Sequence, residues 1–124
     1  MTYVGFAQAD ISCAPGTPLG GNARVDKAAR GVHDPLHATV AFIGTDAGKQ
    51  LLVGLDLISA PGPLVEAICA AIESHSGIPA SCVTVSATHT HSGPDVLHGD
   101  GIDEHDYTLV GSWEQEAVPG ACER

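Results

Sequence analysis

Cys82-Val83-Thr84-Val85-Ser86-Ala87-Thr88-His89-Thr90-His91-Ser92-Gly93-Pro94 runs from an apolar segment straight into two histidines and then into a Gly-Pro turn. The run Cys82 to Val85 is β-branched and apolar, which predicts a buried strand. On an extended chain, side chains two apart point to the same side. Val83, Val85 and Ala87 are therefore expected to share a face with His89 and His91, so that apolar side chains give way to imidazoles where the strand ends. In an open α/β sheet the carboxyl ends of strands are where ligands bind. Two imidazoles spaced this way can hold a divalent metal such as zinc, or orient a water and a substrate carbonyl. By itself a His-x-His pair reads equally well as surface or hydrogen-bonded core histidines.

Upstream, the pattern supplies the rest of a sheet. Tyr3 to Ile11 alternates loosely and predicts a first strand, with Asp10 near its end. Asp10 is either a catalytic carboxylate or a side chain that binds the amides of the following turn. Cys13 to Arg30 contains Pro15, Gly16, Pro18, Gly20 and Gly21 and reads as a loop. Gly20-Gly21-Asn22 lacks the Lys-Ser/Thr of a phosphate loop. Asp34 before Pro35 is biased to extended geometry and ends this loop, and His37 to Gly44 predicts a second strand. His33 beside Asp34 reads as a hydrogen-bonded pair or as a ligand.

Thr45-Asp46-Ala47-Gly48-Lys49 predicts a tight hairpin into the run Gln50 to Ile58, which is apolar at nearly every position. Such a run suits a central strand covered on both faces. Asp56 interrupts it near the carboxyl end. A buried carboxylate must be paired, which makes Asp56 a candidate catalytic residue, a partner that orients the histidine pair. The alternative is an N-cap-like contact with the next helix.

That helix begins after Ser59, with Pro61 and Pro63 tolerated only in its first turn. Leu64, Val65, Ile68, Ala71, Ile72 and His75 recur at helical spacing and Gly77 supplies the stop. His75 sits where it meets the helix dipole rather than a metal. Strand, helix and strand from Gln50 to Thr88 form a crossover unit, which implies parallel strands with Asp56 and His89 at the same edge. The fold class expected is α/β, a mixed sheet of about four strands with one crossover helix. Beyond Pro94, residues 95–106 are an acidic stretch with His98 and His105, readable as a metal-binding or a solvated loop. Residues 107–118 carry a partial helical pattern through Leu109, Val110, Trp113 and Ala117.

Composition limits the function. The 124 residues suit one domain, and 44% hydrophobic against 16% charged residues describe a globular chain. A formal charge of −10 argues against nucleic-acid partners and against charge-driven binding to an anionic membrane. No stretch reaches the roughly 20 apolar residues of a transmembrane helix, and no signal-peptide pattern opens the chain, so the expected location is the cytoplasm. Cys13, Cys69, Cys82 and Cys122 show no Cys-x-x-Cys spacing and read as small buried thiols.

Four segments together resemble the N-terminal part of the neutral/alkaline non-lysosomal ceramidase family. Val4-Gly5-Phe6-Ala7-Gln8-Ala9-Asp10-Ile11-Ser12 looks like its opening strand, and Gly31-Val32-His33-Asp34-Pro35-Leu36-His37-Ala38 like its Gly-Ile-His-Asp segment. Val53-Gly54-Leu55-Asp56-Leu57 is similar to its strand ending in Asp-Leu, and Ala87-Thr88-His89-Thr90-His91-Ser92-Gly93-Pro94 is the most diagnostic match. The resemblance spans residues 3–97. His37 stands where the family usually has an aromatic residue, and Thr39 where it often has Arg.

The resemblance implies a zinc-dependent hydrolase of the N-acyl amide bond of ceramide-like lipids. By position, His89 matches the family's first zinc ligand, and His91 the neighbouring histidine that hydrogen-bonds the carbonyl oxygen or moves a proton. The Cys13–Arg30 loop passes near the active site in the family, which offers a substrate-lining role beside that of a plain surface connection. The family's remaining ligands (a His, a Glu and a Tyr) and its Gly-Asp-x-Ser-Pro-Asn-like segment lie far downstream and have no counterpart here. The family domain is several times longer. The expectation is therefore one truncated domain, residues 1–124, a partial version of a larger α/β hydrolase domain, with open sheet edges that invite self-association. Two alternatives stand beside it: a non-catalytic remnant or interaction module, and a different His-x-His metal hydrolase such as a barrel amidohydrolase. In those barrels the pair lies on the first strand, whereas at least three strands are expected before it here.

Overall fold

A computed structural model of the protein describes residues 1–21 and 28–97. Strands β1 (Thr2–Asp10), β2 (His37–Thr45) and β3 (Gly48–Leu55) are followed by helix α1 (Gly62–Ser76), a short 3-10 turn (Ala80–Cys82) and strand β4 (Val83–Ala87). They form one sheet in the order β1-β2-β3-β4. The first two pairings are antiparallel and β3 pairs β4 in parallel. This is the mixed α/β sheet with one crossover helix that the pattern predicts. The alternation of β1, the hairpin and the strand-helix-strand unit each fall where expected, within about two or three residues at the ends.

The hairpin closes because Thr45 Oγ1 accepts hydrogen bonds from the Ala47 and Gly48 amides, both at 3.2 Å. Helix α1 starts at Pro61, whose carbonyl takes the Val65 amide at 3.0 Å. It stops at Gly77, where a left-handed φ of 67° lets the amide reach back to the Glu73 carbonyl. His75 donates from Nδ1 to the Ala71 carbonyl at 2.9 Å, a last-turn contact with the negative end of the helix.

One face of the sheet is closed by this helix. Ala9, Ala38, Val40, Leu51, Val53 and Leu55 pack with Leu64, Ile68 and Ile72, and Val83 and Val85 lie against the same cluster. Each fully buried side chain of this size contributes about 1.5–3 kcal/mol. The opposite face is set by register: Val4 is paired with Ile43, Phe6 with Ala41, and Ala41 in turn with Leu52. There Phe6 is 75% exposed and Leu52 41% exposed. The expectation that Gln50 to Ile58 is covered on both faces is thus corrected: among the described residues only the odd-numbered side chains of β3 are buried. A continuous apolar run marks a strand able to be covered twice. What covers it depends on elements elsewhere.

The cysteine reading holds for Cys69, which is buried, while Cys13 and Cys82 are partly exposed. Cys122, most of the acidic stretch 95–106 and the helical pattern at 107–118 lie outside the described residues.

Candidate functional site

The site lies at the carboxyl edge of β3 and β4. Past Leu55 and Ala87 the two segments stay bonded: Thr88 donates its amide to the Leu55 carbonyl at 2.9 Å and His89 to that of Leu57 at 3.0 Å. Strand geometry ends at Ala87, and His89 takes a left-handed φ of 64°. The simple alternation that would align His89 and His91 with Val83, Val85 and Ala87 therefore fails. The two rings meet by another route. The turn brings their centroids to 5.0 Å, edge to face at 77°.

The His89 ring is oriented by main chain. Its Nδ1 lies 2.7 Å from the Ile58 carbonyl oxygen. A carbonyl only accepts, so Nδ1 carries the proton, and in the neutral ring Nε2 carries the lone pair. Fixing one ring nitrogen in this way is how proteins prepare the other as a ligand or proton acceptor. Ile58 is 6% exposed, so the accepting carbonyl belongs to a well-packed residue.

Asp56 sits at the same edge, half-buried, and serves both flanks. Its Oδ2 accepts the His37 amide at 2.9 Å and its Oδ1 the Thr88 hydroxyl at 3.1 Å. The His37 Nδ1 is 3.9 Å from Oδ2. The pairing that its burial demands is met here, with Thr88 next to His89 as the link toward the histidines. The N-cap alternative is not realised, since α1 has no side-chain cap.

Asp10 binds a turn amide, that of Ser12, at 2.7 Å, and the Ser12 hydroxyl oxygen in turn accepts the Leu36 amide at 2.9 Å. Hydrogen bonds from the Ser12 side chain and amide, aided by nearby His37, hold the Asp10 carboxyl below its ordinary value. His33 pairs with its neighbour Asp34 at 2.7 Å, and both side chains are almost wholly exposed. That is the hydrogen-bonded-pair reading. Neither Asp10 nor His33 has a described contact with the histidine pair.

The resemblance places the Cys13–Arg30 loop near the site without its contacts, and the sequence reading gives no role to Thr88 or to the Ile58 carbonyl. Residues 18–20 run beside 93–95: Leu19 bridges Pro94, the Gly20 amide binds the Gly93 carbonyl at 3.0 Å, and the Asp95 amide binds the Pro18 carbonyl at 2.9 Å. The Gly-rich loop thereby straps the histidine turn. Thr88 links Asp56 to the turn. The Ile58 carbonyl orients His89, and a main-chain acceptor has no sequence signature.

Among the described residues no group of three or more His, Cys, Asp and Glu converges as a metal cage. One oriented imidazole with a second at its edge fits part of a zinc ligand set, not a whole one.

No protein-family model matches the chain, and no curated protein matches it in sequence. Solved structures do. A neutral ceramidase from Pseudomonas aeruginosa superposes with a TM-score of 0.83 at 22% identity, covering 99% of this chain and 22% of that one. A ceramidase complexed with C2 gives 0.74 at 20% identity, covering 99% of this chain and 20% of that one. The fold is thus shared with ceramidases, and the chain spans about a fifth of their length.

Proposed function

We propose that this chain is the segment of a ceramidase-like, zinc-dependent amidohydrolase that carries its first metal-binding histidine, acting on the N-acyl amide bond of ceramide or a related lipid. The observation that carries the reading is the His89 imidazole, with Nδ1 on the Ile58 carbonyl at 2.7 Å and its ring edge to face with His91. The shared fold supports it. A barrel amidohydrolase is disfavoured, because β1, β2 and β3 precede the pair and two of the sheet's pairings are antiparallel.

His89 would hold the metal through Nε2. When bound, zinc lowers the pKa of a water toward neutrality and polarises the amide carbonyl. His91 is suited to donate a hydrogen bond to the carbonyl oxygen or to carry a proton. Asp56 steadies the turn through Thr88 and ties it to the start of β2. The remaining ligands would come from sequence outside the described residues, within a longer polypeptide or a partner chain. The edge strands β1 and β4 are the surfaces through which such a partner, or a second copy, would add.

Calorimetric zinc titration of the purified chain, with His89→Ala alongside, tests this. Expected is weak binding, with a Kd no tighter than about micromolar, lost in the variant, and no hydrolysis of a short-chain ceramide by the chain alone. Zinc binding unchanged by His89→Ala would remove His89 from the metal site and with it the proposal.

A further inference from the structure

We infer that Gly21 is a positioning residue for His91: a missing β-carbon at 21 is what allows the His91 ring to rest against the edge of His89. A β-carbon built at Gly21 would lie 2.4 Å from Ile58 Cδ1 and 2.8 Å from both Cγ and Nδ1 of His91. The two collisions differ in kind. Ile58 Cδ1 is the tip of a side chain and moves by a rotation about χ2, against the packing that leaves Ile58 6% exposed. His91 Cγ is the root of a rigid ring, so relief there means turning the whole imidazole about χ1 or moving the backbone. Gly20 is tied to Gly93, and Asp95 to Pro18, both on one side of the contact, and these bonds hold the two backbones together there. Relief by turning the ring breaks its 5.0 Å contact with His89.

Backbone conformation alone does not account for this glycine. Gly21 has a φ of +83° and Gly16 in the same loop has +95°, so both favour glycine for the same steric reason. Around Gly16, however, a β-carbon would meet nothing within 4 Å. Gly16→Ala is thus a matched control: it carries the left-handed strain without the collision. The inference deepens the proposed function and draws its catalytic meaning from that reading, but its test needs neither zinc nor substrate, so the two fail separately.

The experiment is NMR of the histidine-labelled chain, following the His89–His91 inter-ring NOE in Gly21→Ala and Gly16→Ala. Expected is loss of that NOE and a shifted His91 ring resonance in Gly21→Ala, with both retained in Gly16→Ala. Retention of the NOE in Gly21→Ala, or its loss in both variants, would overturn the inference. Should Gly21→Ala fold too poorly for spectra, thermal unfolding decides. Gly21→Ala is then expected to lower Tm less in a His91→Ala background than in the wild-type one, and an equal drop in both backgrounds would equally overturn it.

Discussion

The two faces of the sheet are built on different terms. On the α1 side, Val53, Leu55, Leu64 and Ile68 are each no more than 1% exposed, and the face is closed by burial. On the other side, Val4, Phe6, Ile43 and Leu52 lie open at one end. Toward the site that open face turns polar and is stitched by side chains: Gln8 to Thr39 at 3.2 Å, then Asp56 to His37 and Thr88. The same strands thus supply a hydrophobic core from one side and an ordered polar edge from the other. The histidine turn hangs on that edge, outside the core, and is held by individual hydrogen bonds and by the close approach of Gly21.

Ile68→Ala should have the largest effect on this contrast. It removes a wholly buried side chain and should cost about 2–5 kcal/mol in denaturant unfolding, with the chain marginal or unfolded. Phe6→Ser on the open face should stay within about 0.5 kcal/mol in the same measurement. Comparable losses from the two substitutions would mean that the open face is covered in solution.

Asp56→Ala should fall between them. It strips acceptors from the half-buried His37 amide and the Thr88 hydroxyl, at about 1–3 kcal/mol. It should also shift the His89 and His91 resonances while leaving those of α1 in place. Loss of stability with unmoved histidine signals would make Asp56 a clamp for β2 alone.

The smallest effect belongs to Asp10. Folding lowers its carboxyl pKa below 3.8, so the folded chain holds that proton less readily than the unfolded one. The contribution is complete above 3.8 and is lost as pH falls through the lower, folded value. Because Asp10 is exposed, the change is small. Asp10→Asn should flatten the acid-side dependence of Tm slightly, and an unchanged slope would remove the Ser12 bonds from the account.

The elements of this fold are legible in the sequence because each announces itself locally. Alternation marks β1, Thr45 to Lys49 mark the hairpin, and Pro61, Pro63 and Gly77 bracket the helix. That only one face of β3 is buried among the described residues is not legible, since Leu51 and Leu52 look alike and only their neighbours in the fold separate them. At the site, His89, His91 and Asp56 could be singled out by residue type and position. Their geometry could not. Nothing in Thr88-His89-Thr90 signals a left-handed residue, the Ile58 carbonyl is main chain, and Gly21 matters for an atom it lacks.

Long-range imidazole 1H–15N spectra of the chain test the central claim most directly, which is that the Ile58 carbonyl prepares His89 Nε2 as a ligand. The account predicts His89 as the Nδ1–H tautomer, with Nε2 the first imidazole nitrogen to shift when zinc is added. An Nε2–H tautomer at His89, or zinc perturbing another histidine first, would contradict it.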